Sequence, residues 1–210
     1  MIDEDPTLNC QWKQFENPGY LMVDVPEEIF LGLKTKVNEI IENNFNAPKL
    51  NNKLAGIIQH EYLIKPEKIF ADFICYCCIL YYQKNLSSFE KQIFKNPKFS
   101  EIWVNFQKRT EYNPIHDHTG TFSFVTWIKI PYSFEDELNN PSAINSFKST
   151  VGTFQFQYIN AVGRLQTETL DVDKTWEGKM IIFPASIHHC VYPFYKSDDY
   201  RISIAGNVTI

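Results

Sequence analysis

The chain has 210 residues, of which 44% are hydrophobic, 15% aromatic and 21% charged, with a formal net charge of −5. This is enough apolar material for one globular domain with a real core, or for a domain carrying an N-terminal extension. The acidic balance excludes a nucleic-acid footprint built from bulk positive charge, leaving only local patches such as Lys108-Arg109. The first residues, MIDEDPTLNC, lack the apolar stretch of a secretory signal. The most apolar window, 69–82, contains Asp72 and is too short to span a bilayer. Of the five cysteines, Cys75, Cys77 and Cys78 cluster, and Cys10 and Cys190 stand apart. Cys75 and Cys78 have zinc-like spacing but no second pair to complete a site, so the thiols read as reduced core groups of a cytoplasmic protein.

In chain order, residues 1–24 read as irregular, with 20–23 as a short edge strand. Pro26 suits a first helical position and is followed by Glu27-Glu28, which favour a helix N-terminus. Ile29, Leu33, Val37, Ile40 and Ile41 then form an apolar stripe, which Asn43-Asn44 and Pro48 end. In 50–66 the run Leu54-Ala-Gly-Ile-Ile can pack on the core, and His60 reads as structural. A second helix is expected over 67–84, with Ile69, Phe73, Cys77 and Leu80 on one face. A third, short helix is expected from Ser87, where Ser87-x-x-Glu90 is a capping-box pattern, to just before Pro97.

The periodicity then changes. Ile102, Val104 and Phe106 alternate with Trp103, Asn105 and Gln107, which is a strand period. Further strands are expected over 122–130, 152–158, 164–172, 180–183, 189–194 and 200–210, with 132–150 as a long acidic loop. Helices followed by about eight short strands predict an α+β domain. Its core is a jelly-roll barrel over 101–210, supported by a mainly helical layer from residues 1–100.

The stretch 112–130, YNPIHDHTGTFSFVTWIKI, carries the first chemical signal. In extended backbone, His116 and His118 point to one face and can reach one metal ion. Asp117 faces the other way unless the strand breaks, which Thr119-Gly120 permits. His189 follows some seventy residues later, and small barrels collect metal ligands from strands distant in sequence. Arg201 and Ser203 share one face of the last strand. If buried, Arg201 calls for an anionic partner, and its fork matches a carboxylate; on the surface it would pair with Asp198 or Asp199.

Taken in order, Trp103-Val-Asn105, His116-Asp-His118, Gly178-x-x-x-x-Phe183-Pro184, His189-Cys-Val191-Tyr-Pro193 and Arg201-Ile-Ser203 resemble the 2-oxoglutarate- and iron(II)-dependent oxygenases. The likeness is closest to the small prolyl-hydroxylase-like members of marine bacteriophages, and it spans roughly 100–210. It implies a double-stranded β-helix, cupin-like in form, that binds Fe(II) and 2-oxoglutarate and uses O₂ to hydroxylate a C–H bond of an unidentified primary substrate. By the same resemblance His116 and His189 are iron ligands, Arg201 and Ser203 hold the distal carboxylate of 2-oxoglutarate, and Asn105 contacts the cosubstrate. The family usually shows His-x-Asp or His-x-Glu, whereas here the third position is His118, so the remaining ligand is His118 or, with a local kink, Asp117. Two rival readings are a three-histidine cupin-type dioxygenase that does not use 2-oxoglutarate and a non-catalytic metal-binding barrel.

Overall fold

The computed structural model describes residues 19–85, 97–141, 143–147 and 149–209. In chain order they form β1 (Leu21–Asp24), α1 (Glu27–Glu42), β2 (His60–Leu63), α2 (Lys68–Asn85), β3 (Lys98–Gln107), β4 (Asn113–His116) and β5 (Phe122–Lys129). There follow α3 (Phe134–Leu138), β6 (Phe154–Ile159), β7 (Leu165–Leu170), β8 (Lys179–Pro184), β9 (His188–Val191) and β10 (Arg201–Thr209). The strands make an antiparallel six-stranded sheet, β1-β8-β5-β10-β3-β2, and an antiparallel four-stranded sheet, β4-β9-β6-β7. This is the jelly-roll architecture, left open at its edges rather than closed into a continuous barrel.

Strand alternation divides the molecule into layers. One face of the large sheet carries Ile102, Val104, Phe106, Phe124, Ile182 and Ile204, which pack against Ile29, Leu33 and Val37 of α1 and Phe70, Ile74 and Cys77 of α2. Its opposite face carries Val125, Trp127, Ile181 and Phe183, which meet Phe154, Phe156 and Leu170 of the small sheet in a second core. The helices therefore back the large sheet, and the space between the sheets is left for side chains of a site.

Several details differ from the sequence expectations. Pro26 is the N-cap of α1, in extended backbone, rather than its first helical residue. The buried face of α2 is Phe70, Ile74, Cys77, Cys78 and Tyr81, while Ile69 is exposed. The helix is apolar nearly all round, so spacing alone does not set its rotation. Burial pushes the Cys77 thiol up to about 11 and the Cys78 thiol up as well, in keeping with inert core thiols. The 50–66 stretch yields β2, an edge strand whose Tyr62 is fully buried. The 132–150 loop contains α3, capped by Ser133, whose Glu137 is completely buried and accepts the Tyr195 and Lys196 backbone N–H groups. The helix expected from Ser87 lies outside the described residues. Among those residues no helix is long and apolar enough to cross a membrane.

Candidate functional site

Three imidazoles meet at one end of the space between the sheets. β4 pairs with β9 so that His116 stands opposite His189, and a bulge earlier in β4 also brings Asn113 to the inward face, opposite Val191. Beyond β4 the His118 backbone N–H donates to the Ala185 carbonyl. The turn that follows uses Gly120 at φ 109°, a left-handed conformation that only glycine adopts without strain. Side chains therefore alternate through the motif: His116 and His118 point inward, and Asp117 is exposed. One ligand atom each from His116, His118 and His189 lies within 4.8 Å of the others. His188, one residue from the buried His189, is exposed.

The electrostatics suit a cation. Burial is the largest cause holding all three imidazoles below their ordinary range, His118 to about 4 and His189 to about 3, so they are neutral at pH 7. His116 Nδ1 lies 2.7 Å from the Pro114 carbonyl and His189 Nδ1 lies 3.0 Å from the Ile187 carbonyl. A carbonyl only accepts, so each Nδ1 carries the proton and each Nε2 keeps a free lone pair for a metal. The ring of Phe154 stacks on His189 at 5.4 Å, and Trp103 leans on His118 at 5.6 Å, fixing both imidazoles. Three borderline nitrogen donors held this way fit iron(II).

The inward face of β3 leads away from this cluster. Trp103 touches His118, Asn105 donates toward Ser203 Oγ at 3.4 Å, and Gln107 meets Arg201. Arg201 is buried and pairs with neither nearby acid: Asp198 binds Arg109, and Asp199 binds Lys129. Its five N–H groups are all engaged by neutral acceptors. Nε and Nη2 donate to Gln107 Oε1 at 3.1 and 2.7 Å, Nη2 also to the Tyr192 carbonyl at 2.8 Å, and Nη1 to the Tyr132 hydroxyl at 2.6 Å and the Gly152 carbonyl at 2.8 Å. The guanidinium lies over Phe194 at 5.4 Å. Among the described residues no carboxylate contacts it, so its charge is uncompensated, a costly arrangement unless an anion comes to it. Gln107, Tyr132 and Tyr192 escaped the sequence reading. Gln107 was detectable from its alternation with Asn105, whereas Tyr132 stands in what read as a polar loop.

The comparisons with known proteins bear on this arrangement. Residues 101–207, just over half of the chain, match the family described as "Putative 2OG-Fe(II) oxygenase". No curated protein matches the chain in sequence. In structure it is similar to a Pseudomonas putida prolyl-4-hydroxylase, with a TM-score of 0.59 at 12% identity, covering 91% of this chain and 92% of that one. It is also similar to the non-heme α-ketoglutarate-dependent carbocyclase SnoK from nogalamycin biosynthesis, with a TM-score of 0.55 at 9% identity, covering 91% and 79% respectively. At such identities the likeness speaks for the fold, and the match over 101–207 speaks for the family. The chain belongs to the 2OG-Fe(II) oxygenases, enzymes that work with Fe(II), 2-oxoglutarate and O₂.

Proposed function

We propose that the protein hydroxylates a C–H bond of a polypeptide, of prolyl type, or of a small molecule, with His116, His118 and His189 holding iron and Arg201, Ser203 and Asn105 receiving 2-oxoglutarate. The observation that carries this reading is the pairing of two features on one interior surface: three neutral imidazoles, those of His116 and His189 fixed in tautomer, and an uncompensated buried guanidinium. With iron, 2-oxoglutarate and O₂ bound, the chemistry supplied is insertion of one oxygen atom into the substrate C–H bond, the other oxygen ending in succinate as CO₂ is released. Arg201 orients the cosubstrate: a carboxylate reaching it exchanges a neutral acceptor for a charged one, and charge-assisted hydrogen bonds are about twice as strong. Ser203, half-buried and beside Asn105, adds a hydroxyl donor to the same wall. Phe154, Trp103 and Phe183 keep water from the imidazoles, which strengthens electrostatic contacts there. The likeness of fold to a prolyl-4-hydroxylase supports a polypeptide substrate. The two rival readings lack a use for Arg201: a cupin-type dioxygenase without 2-oxoglutarate needs no buried guanidinium, and neither does a purely structural metal site.

The test is incubation of the protein with Fe(II), 2-oxoglutarate and cell extract in air. We expect iron-dependent succinate and products heavier by one oxygen atom, read by mass spectrometry. Succinate formation that persists after iron is chelated would overturn the reading.

A further inference from the structure

Beside the imidazoles, a cleft of about 160 Å³ opens between the start of β1 and the tip of the small sheet. It is lined by Gly19, Tyr20, Phe156, Tyr158, Glu168 and Ile187. Its connection to the site is direct. Phe156 stands in register with His189 on one side and with Glu168 on the other, so all three share the inward face of the sheet. Glu168 therefore lies two strands from His189, about 10 Å away. The Ile187 carbonyl that holds His189 Nδ1 belongs to the same wall.

The lining is chemically one-sided. Three aromatic rings are present, with Tyr20 stacked on Phe156 at 5.4 Å. Glu168 is exposed, and among the described residues no ion pair or hydrogen bond holds its carboxylate. No Lys or Arg is among the lining residues described. The Glu168 charge is felt across the cleft: after burial, it is what pushes the Tyr20 phenol up. Ring faces attract cations, and a free carboxylate pairs with them, whereas an anionic ligand would be repelled.

We infer that this cleft receives a positively charged group of the primary substrate, an ammonium or guanidinium. It would lie roughly two strand spacings from His189. The inference rests on the reading of that cluster as the reaction centre, and it names the chemical class of what is brought there.

The probes are choline and its neutral isostere 3,3-dimethylbutan-1-ol, titrated into the full chain by NMR with and without Fe(II). Choline should bind roughly tenfold more tightly than the isostere, a difference of about 1.4 kcal/mol. Glu168→Gln should remove that preference, Glu168→Lys should reverse it, and Tyr158→Leu should weaken choline more than the isostere. Equal binding of the two probes by the wild type, or an unchanged ratio in Glu168→Gln, would overturn the inference. Because binding is read without turnover, a failure of succinate formation would count against the imidazole centre and not against the cleft.

Discussion

Asp117 and His118 are adjacent, yet the backbone turns one to solvent and the other to the imidazole cluster. On the proposed reading His118→Ala loses iron while Asp117→Asn keeps it, and metal content after reconstitution decides between them. A metal-free Asp117→Asn beside a loaded His118→Ala would transfer the ligand role to Asp117. Arg201→Ala should weaken 2-oxoglutarate binding by about 2–5 kcal/mol, the range for losing one partner of a buried charge pair, with Fe(II) affinity little changed. Equal calorimetric binding by wild type and variant would remove Arg201 from the cosubstrate site. Glu61, opposite Asn105 in the β2–β3 pairing, offers a prediction about stability. It is fully buried with Oε1 unpartnered among the described residues, and burial followed by the Glu111 charge raises it from 4.5 to about 7. A raised carboxyl holds its proton more firmly in the fold, so its stabilisation is complete below pH 4.5 and is lost as pH rises through about 7. Glu61→Gln needs no proton, so it should be nearly neutral at pH 4.5 and stabilise by about 2 kcal/mol at pH 8. The same difference at both pH values would contradict this. At this scale the histidine alternation was legible because strand geometry has period two. The acceptors around Arg201 were not, since three of the four come from loops brought together only by folding.

The strands set these distances. β10 is central, pairing with β3 on one side and β5 on the other. At Gly206 the neighbours close in: a Cβ there would meet the Glu101 carbonyl at 2.8 Å and the Phe124 ring at 2.8 Å. Gly206→Ala should therefore destabilise by about 1–3 kcal/mol through overpacking, read as a shift of the denaturant midpoint. No shift would mean the sheet yields more easily than its pairing suggests. Alternation in 102–107 and the aromatic run at 122–130 made β3 and β5 readable from sequence. β2 was not readable: four residues at a sheet edge carry too little pattern, and it is cross-strand pairing with β3 that makes them a strand. The rotation of α2 was hidden for the opposite reason, since too many of its faces are apolar.

At the scale of the whole molecule, helices back one sheet, and the second sheet lies over the first sheet's free face, leaving an interior lined by His116, His118 and His189 at one end and by Arg201 of β10, opposite Gln107 of β3, farther along. The order of motifs along the β half carried the fold class and family. The opening between the sheet edges, and the cleft beside Phe156, depend on packing that no local pattern records. The measurement that tests the central claim most directly is iron content together with succinate formation in His189→Ala and His188→Ala. The account predicts that His189→Ala binds no iron and forms no succinate, while His188→Ala, altered at an exposed position one residue away, retains both. Iron and succinate retained in His189→Ala would contradict it.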